Sequence, residues 1–483
     1  AYGIYAKNDK TNYTNATSTI NNSGNIDFSN NKSSVGIYAE NSTLTSSGNV
    51  SVGKDGVGIR TIKSDVTLTK GDINATSATG MYLESARGKN SGDIKVGNSS
   101  TGIYGIYKNS TSKFDGVTPN KSVILNDTGK NIQIGDSSAG IYSVKFEKVE
   151  NKGVISGGNK SVGIYAANSK IENGVNDVRD ISMNIKNSGN VTLGNGSAGI
   201  YVKSDPSSVN RSNIEHSGNI TVGDTIFNAS GAAENSSVGV YTEKSNVTST
   251  GNITVGVDSI GVYKAGTGTM NIGTSSSQTM TIGDKGYGIY YIGNSSSGHS
   301  GSSRANNIIN SNMTMSLGKE AVGIYGKNAT VNHVGDITVG ETTIASNGYS
   351  DSNVNKNSIG IFGDNSDISY SGHMTVDKPL SVGLYAANGG SITLKSGSVL
   401  DVKNGATGIM TGKGVETITI ESGATLNASG KASDVDSNAG SKNVSFGISA
   451  YSGNIYNYGV INATNGATAI YKDGIANLMN RGV

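Results

Sequence analysis

The sequence predicts an all-β fold, a three-sided parallel β-helix of about seventeen turns of ~22 residues with loop insertions. Three observations predict it. A short phrase, Val-Gly-Ile-Tyr, recurs along the whole chain. The glycines of neighbouring copies are never closer than 22 residues, as between Gly36 and Gly58. Each shortest interval contains three short extended segments separated by turn residues.

The recurring phrase is clearest at Val35-Gly36-Ile37-Tyr38, and it returns at Val162 and Val322. Including the weaker copies, its glycine stands at Gly3, Gly36, Gly58, Gly80, Gly102, Gly140, Gly163, Gly199, Gly239, Gly261, Gly288, Gly323, Gly360, Gly383, Gly408 and Gly447. A fixed minimum spacing with variable excess is what a solenoid with insertions produces. We therefore expect residues 1–483 to form a single β-helix solenoid.

The shortest repeat, from Gly36 to Val57, contains the three strands of one turn. We expect strands at 35–39, 42–45 and 49–52, with turns rich in Asn, Ser, Gly and Asp between them. Their alternation places five aliphatic residues on one side, Val35, Ile37, Leu44, Val50 and Val52. Strands that each have one apolar face can coil around a common interior, with successive turns about 4.8 Å apart.

The third strand is as regular as the first. Its copies include Gly48-Asn49-Val50-Ser51-Val52-Gly53 and Gly218-Asn219-Ile220-Thr221-Val222-Gly223. We expect the aliphatic residues to point inwards and the Asn, Asp and Thr residues outwards. The flanking glycines indicate corners that need a positive φ. Long helices are excluded, because Gly, Asn, Ser and β-branched residues recur too often.

Composition excludes several classes of partner. The chain has 38 basic and 36 acidic residues, net charge +2, and no basic block, so nothing indicates a nucleic acid or an anionic membrane. It has no cysteine, so disulfides cannot stabilise it. No apolar run approaches the roughly 18 residues of a membrane helix. Since the first residues already lie inside a repeat, we expect a segment of a longer chain.

The long intervals locate insertions at the corners. One set follows the first strand, at 108–121, 167–180, 203–212 and 292–306. Another follows the third strand, at 224–235, 341–357 and 430–443. The second set leaves from a common corner, so we interpret it as the better candidate for binding loops. The alternative is that solenoid corners tolerate changes in length at little cost.

The Gly-Ile-Tyr and Ser-Gly-Asn-Ile-Thr-Val-Gly phrases, over essentially the whole chain, resemble the passenger repeats of large type V autotransporter adhesins. The resemblance is closest to the very large fusobacterial outer-membrane adhesins. It implies a right-handed coil, exposed on the bacterial surface and anchored in the outer membrane by a C-terminal barrel outside this chain. Members of the family mediate coaggregation with other bacteria and attachment to host cells, in some cases by recognising glycans.

One tyrosine recurs in each first strand and forms the candidate ligand-binding strip. Its members are Tyr38, Tyr82, Tyr104, Tyr142, Tyr165, Tyr201, Tyr241, Tyr263, Tyr290, Tyr325 and Tyr385, with Tyr5, Phe362 and Tyr471 in the same register. Because the preceding Ile points inwards, these rings should lie outside. They form either an aromatic strip for sugar rings or a partner, or a scaffold ladder whose rings cover one another. Arg60, Met410 and Ser449 interrupt it.

Two further groups have a chemical interpretation and a structural one. Asn49, Asp72 and Asp93 align on the outer face, where carboxylates could hold Ca²⁺. A Ca²⁺ site needs six or more oxygen ligands, and no dense acidic loop supplies them. We therefore expect a solvated polar ladder. His373 occupies the place equivalent to Asp336, which suggests an acid–base pair. The other histidines and the arginines do not cluster, so we expect a chance neighbour.

The sequence favours a non-enzymatic adhesin segment without catalytic residues, metal or cofactor. Its partner would be a protein or glycan receptor on a host or bacterial cell. A polysaccharide-processing β-helix enzyme is one alternative, and it would need a groove with several carboxylates or bases from neighbouring turns. A pure spacer, with binding located elsewhere in the parent protein, is the other.

Overall fold

The computed structural model describes residues 1–8, 18–108, 122–168, 171–172, 175–176, 181–205, 211–294, 304–343, 357–430, 444–474 and 477–483. It is all-β, with three parallel sheets of 17, 17 and 16 strands, as expected for a three-sided parallel β-helix of about seventeen turns. This confirms the predicted fold class. In the described part of the chain, no helix has the length and hydropathy to cross a membrane.

The strands follow one another in the order first, second and third sheet. The first sheet contains Tyr2–Lys7, Val35–Glu40, Val57–Ile62, Thr79–Glu84, Thr101–Ile106, Ala139–Val144, Val162–Asn168, Ala198–Ser204, Val238–Glu243, Ile260–Ala265, Tyr287–Ile292, Val322–Lys327, Ile359–Asp364, Val382–Ala387, Thr407–Thr411, Phe446–Ala450 and Thr468–Lys472. The second contains Ser18–Asn22, Ser42–Ser46, Asp65–Leu68, Arg87–Asn90, Val123–Asn126, Lys148–Asn151, Asn184–Asn187, Asn213–His216, Asn246–Ser249, Gly268–Ile272, Asn307–Ser311, Thr330–His333, Asp367–Tyr370, Ser391–Leu394, Thr417–Ile420, Asn454–Asn457 and Leu478–Asn480. The third contains Ile26–Phe28, Val50–Val52, Ile73–Ala75, Ile94–Val96, Asn131–Ile134, Val154–Gly157, Val191–Leu193, Ile220–Val222, Ile253–Val255, Thr279–Ile282, Thr314–Leu317, Ile337–Thr338, His373–Val376, Val399–Lys403, Thr425–Ser429 and Val460–Thr464.

The chain divides into two compact units, Ala1–Asn246 and Val247–Val483. In the first unit, equivalent residues of successive turns pair in parallel register, as Ile141 does with Ile164. Their side chains form a dry interior row in which no member is more than 1% exposed, namely Ile37, Ile59, Met81, Ile103, Ile141, Ile164, Ile200 and Val240. Burial of such a row, together with the strand ladders, stabilises the stack of turns.

The second unit repeats the arrangement. Its interior row is equally buried and consists of Val262, Ile289, Ile324, Ile361, Leu384, Ile409 and Ile448. The same interior also contains Lys264 and Tyr291, both 0% exposed. The Lys264 ammonium donates to the Thr267 carbonyl at 2.9 Å and lies 5.5 Å from the Tyr291 ring centroid, so a carbonyl and a π face compensate its burial.

The glycine of each Val-Gly-Ile-Tyr phrase is required by a close approach. A Cβ atom at Gly36 would lie 2.4 Å from Val50 Cγ1 and 2.6 Å from the Gly58 carbonyl oxygen. At Gly163 the corresponding distances are 2.6 Å to Val191 Cγ1 and 2.5 Å to the Gly199 oxygen. The space that a side chain would need is therefore filled by a third-sheet aliphatic residue and the next turn's backbone.

Val35 lies outside the row where the alternation predicted it. Since the Gly36 position faces the interior, Val35 is directed outwards and is half-buried. In the second unit the equivalent Val322, Ile359 and Val382 form a separate apolar cluster, against which the rings of Tyr325 and Phe362 pack. The prediction that this valine belongs to the interior side was wrong, because the glycine after it interrupts the period-two alternation.

The glycines flanking the third strand also have a different cause from the predicted one. Gly48, Gly92 and Gly218 do not have the positive φ that the sequence suggested. A Cβ atom at Gly48 would instead lie 1.9 Å from the Gly24 carbonyl oxygen, and one at Gly218 would lie 2.0 Å from that of Gly189. These corners stack too closely for any side chain.

Residues other than glycine adopt the left-handed conformation, with positive φ, at the corners on either side of the first strand. Asn41 has φ 51°, Lys63 φ 49° and Ser85 φ 49° after successive first strands. Each of their backbone N–H groups donates to the last carbonyl of the next first strand, as Asn41 does to Ile62 at 3.0 Å. The ladder hydrogen bond thus compensates the cost of this conformation.

The predicted insertion at 224–235 is described in full. Ile226–Phe227 and Ala233–Asn235 pair in antiparallel fashion and form a hairpin at the predicted corner. In the insertion at 167–180, Ile171–Glu172 pairs with Val175–Asn176. The insertions at 108–121, 203–212, 292–306, 341–357 and 430–443 lie mostly outside the described residues, apart from a short 3-10 helix at Arg304–Asn306. Their assignment as insertions stays a prediction.

Candidate functional site

In the first unit the tyrosine strip is a stack of parallel rings. Tyr104, Tyr142, Tyr165, Tyr201 and Tyr241 pair in register on successive strands. Neighbouring ring centroids are 5.2, 4.4, 5.5 and 4.3 Å apart, and the rings are inclined by no more than 10°. Tyr82 continues the stack, 5.2 Å from Tyr104. Such contacts contribute about 0.5–1.5 kcal/mol each beyond the area that they bury.

The stacking decides which part of each ring can meet a ligand. Both faces of an internal ring such as Tyr142 are covered by the rings of Tyr104 and Tyr165, and its side chain is half-buried. A sugar ring that stacks on an aromatic residue needs a free face. The internal members therefore offer only ring edges and phenol oxygens, which fits the scaffold interpretation of the ladder better than a platform for sugars.

The ladder continues through its first interruption. The Arg60 guanidinium carbon lies 6.0 Å from the Tyr38 ring centroid and 5.2 Å from that of Tyr82, so a planar cation fills the place of a ring. Tyr5 stacks on the other face of Tyr38 at 4.8 Å and is 56% exposed.

The second unit has its own ladder. Tyr263, Tyr290 and Tyr325 stack at 5.7 and 4.6 Å, and Phe362 then meets Tyr325 edge-on and stacks on Tyr385 at 4.8 Å. Met410 pairs with Tyr385 and Ser449 with Met410, so the aromatic run ends there, as the sequence indicated.

Several phenol groups of the ladder are tied to carboxylates. Tyr38 donates to Glu40 Oε2 at 2.7 Å, and Tyr241 donates to Glu243 Oε1 at 2.8 Å, each two residues further along the same strand. Tyr325 donates to Asp364 Oδ2 at 3.2 Å. Burial and the neighbouring carboxylates raise the pKa of Tyr38 and Tyr325 above the usual value, so both phenols are protonated at neutral pH.

The outer row with Asn49, Asp72 and Asp93 is a hydrogen-bond ladder. The backbone N–H of Asp72 donates to Asn49 Oδ1 at 3.0 Å, and that of Asp93 donates to Asp72 Oδ1 at 3.1 Å. Each side-chain oxygen thus accepts from the equivalent residue of the next turn. Among the described residues, no cluster of three or more His, Cys, Asp and Glu side chains is arranged to hold a metal ion.

His373 follows Asp336 in a hydrogen-bond ladder of the same kind in the second unit, and its imidazole has a partner that was not predicted. Its backbone N–H donates to Asp336 Oδ1 at 2.8 Å, whereas its Nε2 lies 2.8 Å from Asp401 Oδ2 on the following turn. Although burial opposes it, hydrogen bonds from Asn427 and His373 hold the pKa of Asp401 below its usual value. The Asp336–His373 pair is therefore a backbone contact and not an acid–base pair.

At the tip of the hairpin at 224–235, one side chain accepts three hydrogen bonds beside two backbone hydrogen bonds of the turn. Asn228 Oδ1 accepts from the backbone N–H groups of Ser230 and Ala232, both at 3.0 Å, and from Ser230 Oγ at 2.7 Å. Phe227 is 45% exposed beside this turn. The hairpin thus presents an aromatic side chain next to a hydrogen-bonded polar turn.

The second unit contains a groove of about 460 Å³ at the corner after the first sheet. It is lined by Arg304, Asn365, Asn388, Gly389, Lys413, Gly414 and Glu416. Arg304 is 7% exposed, and its guanidinium donates to Asp367 Oδ1 and Glu416 Oε1, both at 2.7 Å. Both carboxylates are thus committed to the arginine, which ties the residues beginning at Arg304 to two later turns.

Two buried polar columns were missed in the sequence. In the second sheet Asn90, Asn126, Asn151 and Asn187 are all 0% exposed, and each amide donates to the next oxygen at 2.7–2.8 Å. Serines form the second column, at the corner before the first strand. There a backbone N–H donates to the hydroxyl oxygen of the serine on the next turn, as Ser161 does to Ser197 Oγ at 3.1 Å. The signal was present as Asn at the end of several second strands, such as Asn90 and Asn126, and as Ser before two of the three Val-Gly-Ile-Tyr phrases, at Ser34 and Ser161.

Buried histidines occupy the same column. His216 continues the asparagine column, with Nδ1 3.2 Å from Asn187 Nδ2. In the second unit His333 is 1% exposed, stacks on Tyr370 at 5.8 Å, and has no hydrogen-bond partner for either ring nitrogen among the described residues. Burial lowers the pKa of both imidazoles to about 4, so both are neutral at pH 7.

Comparison with known proteins identifies no relative: no family model, no curated protein and no solved structure matches the chain.

Proposed function

We propose that the chain is a non-enzymatic, surface-exposed stalk and binding segment of a bacterial autotransporter adhesin. Its role would be attachment to host cells or to other bacteria, through a protein or glycan receptor. Anchoring would come from an outer-membrane barrel outside this chain. The observation that carries the proposal is the solenoid itself, whose scaffold motifs resemble adhesin passengers and whose outer rows consist of Asn, Thr, Ser and paired charges.

Among the predicted insertions, the hairpin at 224–235 is the one described in full, and it is the element that we propose for such binding. Its exposed Phe227 can enter a receptor pocket as an apolar anchor, and the polar turn around Asn228 can donate and accept hydrogen bonds. Lys160 lies 3.4 Å from Glu234, in an exposed ion pair between the hairpin and an earlier turn. The ladder contributes stiffness in this proposal, because its ring faces are covered.

Binding of the purified chain to epithelial cells, to partner bacteria and to a glycan array tests the proposal. We expect binding in at least one arm, and a loss of about ten-fold or more in Phe227→Ser, as for an interface hot spot. Tyr458→Ser is the matched control, since Tyr458 is 40% exposed in the corner between the strands Asn454–Asn457 and Val460–Thr464. Equal binding by both variants would remove the hairpin from the proposal.

A spacer function is the second candidate, and the covered ring faces favour it. Absence of binding in every arm, with a folded chain by circular dichroism, would support the spacer and contradict the adhesive segment. The same preparation can be incubated with pectin-like and glycosaminoglycan polysaccharides. Cleavage that is lost in Glu416→Gln would contradict the non-enzymatic proposal, since Glu416 lies in the groove of the second unit.

A further inference from the structure

The tyrosine ladder has a geometry that matters for oxidation chemistry as well as for packing. Tyr201 and Tyr241 lie 4.3 Å apart between ring centroids and are inclined by 4°, and Tyr142 and Tyr165 lie 4.4 Å apart at 10°. Parallel strands in register place equivalent ring carbons of neighbouring tyrosines next to each other. Two rings held in this way bring their ortho carbons close enough to couple. Both rings must then rotate out of the parallel stack, because the rings of dityrosine are joined edge to edge.

A proton acceptor lies at the end of the same stack. Removing an electron from a phenol also requires removing its proton, and a hydrogen-bonded carboxylate can take it. Tyr241 donates to Glu243 Oε1 at 2.8 Å, and Tyr38 donates to Glu40 Oε2 at 2.7 Å. Tyr241 therefore combines the shortest ring separation of the described ladder with a base in place.

We propose that the ladder of the first unit is a site of oxidative tyrosine cross-linking, in which a one-electron oxidant joins tyrosines of successive turns as dityrosine. The substrate is the chain itself. The co-reactant is a small one-electron oxidant of sufficient potential, such as a photogenerated metal complex. This proposal is independent of the proposed adhesive function.

The chemistry balances over two tyrosines. Each phenol transfers one electron to an oxidant and its proton to a carboxylate or to water, and becomes a phenoxyl radical. The two radicals pair their electrons in a new carbon–carbon bond between ortho carbons. The two ortho hydrogens then move as protons to the phenol oxygens, which restores both aromatic rings. Two oxidant molecules are each reduced by one electron, and two protons are released in total.

Proximity, and not exposure, should select the reacting pairs. Tyr451 and Tyr458 are 51% and 40% exposed, but neither belongs to the tyrosine stack. Ladder tyrosines are half-buried, yet each has a neighbouring phenol at contact distance. Pre-oriented partners react with effective molarities far above any protein concentration, so coupling inside the ladder should exceed coupling between molecules.

The experiment exposes the chain to photogenerated tris(bipyridyl)ruthenium(III) with persulfate, at limiting oxidant, and maps cross-linked peptides by mass spectrometry. We expect Tyr201–Tyr241 and Tyr142–Tyr165 links at least about ten-fold more abundant than links involving Tyr451 or Tyr458. Their yield should not change with protein concentration.

Tyr201→Phe is the matched variant, because Phe keeps the stacked ring and lacks the phenol. It should abolish the links of position 201 with Tyr165 and Tyr241 and leave the Tyr142–Tyr165 link unchanged, with the same circular dichroism spectrum. The proposal is overturned if cross-links follow exposure, if their yield rises with protein concentration, or if only hydroxylated tyrosines without cross-links form.

Discussion

At the scale of the residue, the stacking of turns restricts which residue can occupy a buried position. It requires glycine at some positions and asparagine at others, for different reasons. At Gly163 the neighbouring atoms leave no space for a side chain, since a Cβ atom would meet the Gly199 oxygen at 2.5 Å. At Asn151 the side chain is needed, because its amide donates to Asn187 at 2.7 Å and its oxygen accepts from Asn126 at 2.8 Å. Both positions are buried and both repeat with the turn.

Replacing Gly163 with Ala should destabilise the first unit by about 1–3 kcal/mol, because the added methyl group overpacks against backbone and Val191. Thermal unfolding followed by circular dichroism measures it. Gly24→Ala is the control, since its nearest neighbour would be 3.9 Å away, and should change stability by no more than about 0.5 kcal/mol. Equal effects of the two substitutions would contradict the close-approach explanation.

Asn151→Ala should destabilise the chain by about 3 kcal/mol, because it leaves the Asn126 amide and the Asn187 oxygen buried without this partner. Asn213→Ala is the control on the outer face of the same sheet, where the amide contacts Asn184 at 3.4 Å in solvent. Urea unfolding should separate the two variants clearly. A similar midpoint for both would mean that the buried column is not a stabilising network.

Protonation of His333 should couple stability to pH. Burial lowers the pKa of its imidazole from 6.5 to about 4, while the Gly335 backbone and Asp336 act in the opposite direction. The unfolded chain therefore takes up the proton first as pH falls. The stabilisation is complete above about pH 6.5 and is lost progressively down to about pH 4, by about 3 kcal/mol.

The measurement compares urea midpoints of the wild type and His333→Phe at pH 7 and pH 4. Phe can keep the stack on Tyr370, and it cannot be protonated. The wild type should lose more stability than the variant over this interval. The variant should retain a smaller loss from His216, whose pKa is also lowered to about 4. Identical pH dependence in both proteins would show that His333 is not buried as described.

At the scale of the element, strands and insertions differ in the contacts that stabilise them. A strand is held on both sides by its neighbours in the sheet, whereas the hairpin at 224–235 depends on its own turn and on a few contacts such as that of Lys160 with Glu234. Changes in the hairpin should therefore act locally, since stability is not uniform across a structure.

Asn228→Ala should loosen this hairpin without changing the global free energy of unfolding by more than about 0.5 kcal/mol, because it removes the three hydrogen bonds that the Asn228 side-chain oxygen accepts. The two backbone hydrogen bonds of the turn, from Asn228 to Ala232 and from Gly231 to Asn228, remain. Limited chymotryptic cleavage after Phe227 should become faster. Asn228→Asp keeps the acceptor oxygen and should be cleaved at the wild-type rate. Cleavage unaffected by either substitution would mean that the turn does not limit access.

At the scale of the whole molecule, periodicity was sufficient to predict the architecture. The recurrence of Val-Gly-Ile-Tyr gave the turn, and the predicted strands at 35–39, 42–45 and 49–52 agree with Val35–Glu40, Ser42–Ser46 and Val50–Val52 within one residue. The aliphatic residues Ile37, Ile164 and Ile324 line the interior, each 0% exposed.

What the sequence did not predict depends on contacts between turns. Val35 was placed on the interior side because an alternation count cannot detect the local break at Gly36. His373 was expected to be a chance neighbour of Asp336, and its contact with Asp401 was not predicted, because register alone does not say which way a ring points. The tyrosine register was correct, but only ring separations of 4.3–5.5 Å show that the faces are covered.

The central claim is that equivalent residues of successive turns are parallel neighbours, and the chain's lack of cysteine allows a direct test. Thr192 pairs with Thr221 on the outer face of the third sheet, and Ser156 pairs with Thr192 one turn earlier. Cysteines at 192 and 221 should form a disulfide under mild oxidation, because adjacent parallel strands lie about 4.8 Å apart. Cysteines at 156 and 221, two turns apart at about 9.6 Å, should remain free thiols. A disulfide in the second variant, or free thiols in the first, would contradict the account.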